Sequence, residues 1–308
     1  MVNEYIYQIY GLNVSCSFPW HQHKRSTRPA DVTISIISRN SSDDVAPFLN
    51  KTNWNQEGIN YRVSSNRYYW EFEGIGKFYI ENGNCVIIAP DPEVDINSIK
   101  TILLGSIFGV LLYQRGQLPL IGSAILHNNR AFLLLGKSAA GKSTLAAALM
   151  QRGFSVLSDH LCSIGESASA QIGYPFLQLW QDATQMLQIN TSQATPIRPG
   201  HNKLQLPIEQ NLNSSSFVVG GIYLLTPSSQ TQMYLQDLYG FNKFESVRDM
   251  RYLGHLCESP EGRFGRHNYL TQLVQSCSVK RLHFERTKKT INQVVEMLAR
   301  DIKNKNLV

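Results

Sequence analysis

One stretch constrains this chain more than any other. Residues Gly136-Lys137-Ser138-Ala139-Ala140-Gly141-Lys142-Ser143-Thr144 fit the pattern G-x-x-x-x-G-K-[ST], and each residue type in it has a physical task. Glycines let backbone N–H groups turn inward on phosphate oxygens. Lys142 is suited to reach β- and γ-phosphates, and the Ser143 hydroxyl to ligate Mg²⁺. The helix that follows points its positive end at the anion. The flanks agree with the motif: an apolar strand, residues 131–135, runs straight in, and a helical pattern, residues 142–152, runs out to Gly153. The sequence therefore predicts a phosphate-binding strand–loop–helix unit over Gly136 to Thr144, with Mg²⁺ and a nucleoside triphosphate, ATP or GTP, as cofactors and ATP taken as the working choice.

Sixteen residues after Ser143, Asp159 closes a short apolar strand, residues 154–157. A carboxylate at a strand tip beside a phosphate loop can hold Mg²⁺ or its water. It can also take a proton from an attacking hydroxyl. A turn or cap aspartate is the plainer alternative. His160 follows directly; neighbouring strand residues point to opposite faces, so it need not share the site, with a ligand or catalytic role as the alternative. Lys203, in a basic loop at 196–203, and Arg251, in Arg248-Asp249-Met250-Arg251-Tyr252, could each neutralise a transferring phosphoryl group. On spacing alone, each is more often a surface residue. Trp180, among apolar neighbours, reads as core. His21 and His23 could share a face, but no third metal ligand stands near them.

Composition narrows the class. Hydrophobic residues make up 43% and charged residues 17%, an ordinary globular balance. The longest apolar run, residues 102–113, is interrupted by Gly105, Ser106 and Gly109. A bilayer span needs about 20 residues, so the run reads as a buried helix and no membrane association is expected. Five cysteines at wide spacing, without a C-x-x-C pair, argue against a disulfide framework or zinc site. The N-terminus lacks a basic segment leading into an apolar one, so a reducing cytoplasm is the expected compartment. The net charge is +6, and residues 279–308 carry eight basic against three acidic side chains. Ile291, Val294, Val295, Leu298 and Ile302 recur there at helical spacing, which favours a solvated amphipathic helix over a nucleic-acid surface.

The expected fold is α+β in two parts. Residues 1–95 form a small β-rich accessory domain, with apolar or aromatic runs at 5–14, 32–38, 68–73, 77–80 and 85–89. Asn82-Gly83 is a tight-turn pair, and residues 41–58 are polar loop. Residues 96–308 form the phosphate-loop domain with a mixed sheet. Asn97 is a candidate cap for a helix to about Gln114. Residues 120–126 and 131–135 form a hairpin around His127-Asn128-Asn129-Arg130. A strand at 218–225, a helix at 270–275, a strand at 280–284 and a helix at 290–303 complete the reading.

Residues 118–164 resemble HPr kinase/phosphorylase and its relatives. In that family a hairpin enters the phosphate loop, and an Arg-Gly segment leads to a strand ending in paired aspartates. The counterparts here are Gln151-Arg152-Gly153-Phe154 and Leu157-Ser158-Asp159-His160. The opening Tyr7-Gln8-Ile9-Tyr10-Gly11-Leu12, the run 174–180, the segment 198–203 and Lys280-Arg281-Leu282 resemble one branch, the HPr-kinase-like proteins of ribosomal-peptide clusters, lasso-peptide kinases included. The resemblance implies a phosphoenolpyruvate-carboxykinase-like core and phosphate transfer to a serine hydroxyl of a peptide or small protein. It also implies homo-oligomeric assembly. Asp159 matches the family's first aspartate, the usual general base; Lys203 and Arg251 match basic positions near the phosphate only approximately. Two positions depart. Ile121 stands fifteen residues before Gly136, where the family has histidine, and His160 replaces the second aspartate. Isoleucine cannot donate, accept or titrate, so any such role would pass to His160 or His127.

Two functions follow. The first is an ATP-dependent kinase acting on a Ser/Thr hydroxyl of a peptide or small protein. The second is a nucleotide-binding regulatory or biosynthetic partner with little turnover. Nucleic acid is a distant third partner class, supported only by the basic C-terminal segment.

Overall fold

The computed structural model describes residues 5–20, 25–37, 54–56, 59–63, 66–210, 212–228, 232–254, 263–285, 287 and 290–305. His21, His23, Cys257 and most of the polar stretch 41–58 lie outside them. The chain divides into two compact units. One comprises Met1–Gln117, Ile197–Gly200 and Leu253–Phe264; the other comprises Leu118–Pro196, His201–Tyr252 and Gly265–Val308.

The first unit is built on eight strands: β1 (Tyr5–Ile9), β2 (Leu12–Cys16), β3 (Val32–Ile36), β4 (Trp54–Gln56), β5 (Ile59–Val63), β6 (Arg67–Phe72), β7 (Gly76–Glu81) and β8 (Cys85–Pro90). Their order across the sheet is β1-β2-β3-β8-β7-β6-β5-β4. β3 lies parallel to both β2 and β8, and the other pairings are antiparallel. The run at 5–14 breaks into two strands because Tyr10 and Gly11 turn the chain at positive φ. β4 and β5 fall partly within and just after a stretch expected to be loop.

Beyond the sheet runs one helical stretch: α1 (Ile96–Ile102), a π-helical turn at Leu103–Ile107, and α2 (Phe108–Gln114). Its cap is Asp95, not Asn97. The Asp95 carboxylate accepts from the backbone N–H of Asn97 and Ser98, as N-terminal amides require. The stretch is long and apolar enough to span a membrane, and 67% of it is buried within the protein. A boundary at residue 95 would have put this helix with the phosphate loop. The structure groups it with the first sheet, and its contacts say why. The Phe108 ring packs on Tyr10 and Trp20, and Gln114 accepts from the backbone N–H of Gly83 at 2.8 Å.

The second unit is mixed α/β. Its elements are β9 (Leu118–His127), β10 (Arg130–Leu135), α3 (Lys142–Met150), β11 (Ser155–Ser158), β12 (Leu161–Ile164), β13 (Ser169–Gln171), β14 (Phe176–Trp180), α4 (Gln181–Met186), β15 (Thr195–Pro196), β16 (Lys203–Pro207), β17 (Ser216–Ser228), β18 (Tyr234–Asp237), α5 (Gly240–Arg248), α6 (Arg263–Ser276), β19 (Ser278–Glu285) and α7 (Ile291–Asn304). β9 and β10 form the expected hairpin, its turn made by Asn128 and Asn129 at positive φ. β10 then lies parallel to β17, and β17 parallel to β19. The N-terminal half of β9 pairs with β12, β12 with β13, and β13 with the start of β17, which closes a ring of five strands. β14, β16 and β15 form a separate small sheet.

After the exposed Arg130, β10 is apolar because both its faces are covered. Phe132 and Leu134 join the cluster around α3 and α7, while Ala131, Leu133 and Leu135 join the cluster around α6. Each such Leu or Phe side chain stabilises the fold by about 1.5–3 kcal/mol on burial. The strand that leads into the glycine-rich loop is thus anchored from two sides.

Candidate functional site

The loop begins where β10 ends. Gly136 is packed so closely on β17 that a Cβ there would lie 3.2 Å from the Leu225 carbonyl oxygen and 3.1 Å from the Ala140 methyl. Gly141 has φ +93° and caps α3, a left-handed conformation in which glycine carries no steric penalty. The two glycines of the motif are therefore required for different reasons, one for close approach and one for chain reversal. Lys142 is buried, and its ammonium donates to the Lys137 carbonyl at 2.7 Å, drawing the loop into a closed curve. Burial lowers the Lys142 pKa, and the Asp159 charge pulls it back up.

Asp159 is the hub. Its Oδ1 accepts from the Ser143 hydroxyl at 2.8 Å and from the Ser123 hydroxyl at 2.6 Å. Its Oδ2 accepts from the backbone N–H of Gln178 at 2.9 Å. The Gln178 side chain in turn accepts from the Lys203 ammonium at 3.1 Å. Burial lowers the Lys203 pKa, and the Asp159 charge again opposes it. The structure thus joins Ser143, Asp159 and Lys203 in one hydrogen-bond chain, with Lys142 in electrostatic reach of the same carboxylate. Charged groups this buried are stable only when paired or hydrogen-bonded.

Arg251 is placed differently. Its backbone bridges to Leu120 on β9, and its Nε donates to the Arg248 carbonyl at 3.0 Å. That nitrogen serves its own turn rather than Asp159. The neighbouring Met250 carbonyl accepts from Ile121 N–H at 2.7 Å. Ile121 itself pairs with Leu161.

His160 corrects an expectation. Strand alternation does not apply, because β11 ends at Ser158 and His160 turns the chain at φ +73°. Its ring meets Tyr252 edge-on at 5.6 Å. Burial, then the Lys203 charge, push its pKa down to about 4, against the pull of Asp159. His160 is therefore a neutral imidazole near pH 7. His127 packs on Phe154, with ring centroids 4.7 Å apart.

Trp180 is a second correction. It is 46% exposed rather than core. In β14 the buried positions are Leu177 and Leu179, so period-2 alternation turns Gln178 and Trp180 to the other face. Trp180 packs there against His201 at 5.3 Å.

Sequence reasoning missed Ser123 and Gln178, the two further groups holding Asp159. Ser123 had a faint signal, as the one hydroxyl within the apolar run of β9. Gln178 had none, since it acts through its backbone N–H.

The oxygen donors of Ser143 and Asp159 are hard ligands of the kind Mg²⁺ prefers, and the loop would supply backbone N–H groups to phosphate. Beside the loop lies a cavity of about 430 Å³, lined by Gly136 to Ala140, residues 224–227, Ser246, Asp249, Met250 and Arg281.

No family model matches this chain, and no curated protein matches its sequence. Among solved structures, it aligns with the Hpr(Ser) kinase/phosphatase from Coxiella burnetii at a TM-score of 0.31 and 11% identity, covering 62% of this chain and 99% of that one.

Proposed function

We propose that this chain is an ATP-dependent, HPr-kinase-like enzyme with a phosphoenolpyruvate-carboxykinase-like phosphate-loop core. It transfers the γ-phosphoryl group to a Ser or Thr hydroxyl of a peptide or small protein. A ribosomally made precursor peptide is the favoured acceptor, and the cytoplasm the favoured compartment. Homo-oligomeric assembly belongs to the same proposal. One observation carries the reading: the loop serine, Ser143, and the strand-end carboxylate, Asp159, meet at 2.8 Å beside the buried Lys142.

In this mechanism the loop amides and Lys142 bind the triphosphate, and Lys142 and Lys203 face the charge that spreads over the transferring oxygens. Mg²⁺ held by Ser143 and Asp159 would add neutralising charge there. Asp159 orients the acceptor hydroxyl and takes its proton. A bond forms from that oxygen to the γ-phosphorus as the bridging β–γ bond breaks, and ADP leaves. Ser123 and Gln178 fix the carboxylate so that little reorganisation is needed.

A second reading is a nucleotide-binding partner with little turnover. It is favoured by Ile121, inert within the β9–β12 ladder, and by His160, which is neutral. Intact-mass analysis decides between them. Serine-bearing peptides encoded beside the gene are incubated with Mg·ATP and wild type, Lys142→Ala or Asp159→Asn. The kinase reading expects a phosphate-sized gain with wild type, none with Lys142→Ala, and at least about 100-fold slower gain with Asp159→Asn. Equal rates for Asp159→Asn and wild type would remove the base from the mechanism. No gain, with Mg·ATP still raising the wild-type Tm, would favour the partner reading.

A further inference from the structure

The small sheet of β14, β16 and β15 has one face covered and one partly open. Leu177, Leu179 and Leu206 turn inward and join the cluster around α3 and α7. Gln178 and Trp180 turn the other way. Register sets Gln205 opposite Gln178 and Lys203 opposite Trp180. Directly opposed residues of an antiparallel pair share a face. Gln178, Trp180, Lys203 and Gln205 therefore belong to one surface, polar except for an indole.

That surface is continuous with the candidate site. Gln178 holds Asp159 through its backbone N–H at 2.9 Å, and its side chain accepts from the Lys203 ammonium at 3.1 Å. Trp180 stands two positions further along the same strand, a rise of about 7 Å. Its indole is 46% exposed, whereas Trp20 and Trp70 are each 3% exposed. Tryptophan ordinarily buries most of its surface, so an open indole beside a reacting carboxylate calls for something to cover it. The indole is also held in place. The His201 ring packs on it at 5.3 Å with the planes 34° apart. Next to it, Gln181 N–H donates to the Asn202 carbonyl at 3.0 Å and ties β14 to the segment entering β16. A large aromatic fixed in advance offers contact area at little entropic cost on binding, which is why tryptophan anchors so many recognition surfaces.

We propose that Trp180 is the acceptor-recognition residue of this site: it takes a large apolar side chain that lies two positions from the acceptor serine or threonine, and so sets the hydroxyl against Asp159. This rests on the kinase reading above. The occupant is a segment of the acceptor peptide. Trp180 connects to the site through Gln178, Lys203 and Asp159, the groups that meet the acceptor hydroxyl in the proposed mechanism, and not through the loop amides. The spacing agrees as well. In an extended peptide, residues two apart point the same way and stand about 7 Å from each other, which is the interval between Gln178 and Trp180. Trp180 would thus select the acceptor without touching the reacting atoms.

The test reads selectivity rather than rate. Synthetic peptide pools with one fixed central serine and random flanks are incubated with Mg·ATP and wild type, Trp180→Ala or Trp180→Phe, and the phosphorylated peptides are sequenced. Mg·ATP and magnesium tripolyphosphate are also titrated calorimetrically into each protein. The proposal expects wild type to enrich aromatic or large aliphatic residues two positions to one side of the serine by about fivefold. Trp180→Ala should lose that enrichment, Trp180→Phe should keep most of it, and both should bind Mg·ATP within about twofold of wild type. Phosphorylation without enrichment at that position, or enrichment that survives in Trp180→Ala, would overturn the proposal and leave the kinase reading standing. A tenfold loss of Mg·ATP affinity in Trp180→Ala with tripolyphosphate binding intact would also overturn it, because the indole would then serve the nucleotide base. No phosphate gain by wild type on any pool would overturn the kinase reading and this inference with it.

Discussion

The two eight-stranded sheets use different cores. The first is aromatic: Tyr7, Phe18, Trp20, Trp70, Phe72 and Phe78 are all buried there, and many of their rings meet edge-on or tilted, as at Phe72–Phe78 with centroids 5.6 Å apart. The second is mainly aliphatic, built from short Leu, Ile, Val and Ala side chains. The larger contrast is polar. Among the described residues, Ser15 and Ser98 are the buried polar groups of the first unit. The second buries Ser123, Lys142, Ser158, Asp159, Ser163 and Thr184. Burying polar and charged groups costs free energy unless they are hydrogen-bonded, so a fold that concentrates them does so where they have chemical work. In the second unit Ser123 donates to the Asp159 carboxylate and Lys142 lies in its electrostatic reach. The comparison leaves the buried charged groups in the second sheet, where the proposed chemistry would sit, and gives the first sheet the character of a scaffold.

Core truncations test that division with the largest effects. Phe78→Ala and Phe132→Ala, both at fully buried positions, should each destabilise by about 3–5 kcal/mol, measured by urea unfolding. Only Phe132→Ala, on the strand entering the loop, should also weaken Mg·ATP binding. If Phe78→Ala weakened binding equally in folded protein, the division would be wrong.

The pH response gives a smaller effect. His160 is held down to about 4 in the fold, below its ordinary value near 6.5. Between those values the unfolded chain binds more protons at this site, so stability is lost as pH falls from 6.5 toward 4 and does not change through this group above 6.5. At pH 5 the loss should be on the order of 2 kcal/mol. His160→Gln should flatten that part of the stability–pH curve. An unaltered curve would mean that His160 is not neutral in the fold.

The smallest expected effect is at Ser123. Ser123→Ala removes one of three hydrogen bonds to Asp159 and should cost about 1–2 kcal/mol. It should also slow phosphate transfer without altering tripolyphosphate binding, because Asp159 would lose orientation while the loop is untouched. Equal losses in both would make Ser123 a part of the loop's fold instead.

What the sequence made legible was local and periodic. The strand–loop–helix at 131–150 could be read because its glycines, lysine and apolar flanks are all dictated within a few residues of one another. Asp159 could be placed because a short apolar strand leads to it. Its partners could not, since Ser123 and Gln178 arrive from β9 and β14 through sheet pairings that no local pattern encodes. Trp180 was misjudged for a related reason: its apolar neighbours suggested burial, but alternation in a sheet covered mainly on one face turned it outward. The helix beginning at Ile96 was legible as a helix. Its membership in the first unit depended on Tyr10, Trp20 and Gly83, which are distant in sequence.

The measurement that tests the central claim most directly is a calorimetric titration of Mg·ATP into wild type and Lys142→Ala. Lys142 is buried, hydrogen-bonded to the loop and electrostatically tied to Asp159, so no other side chain should matter as much for triphosphate. The account predicts saturable binding to wild type and at least about a 100-fold weaker affinity for a variant that still melts cooperatively. Equal binding by the two proteins would contradict it.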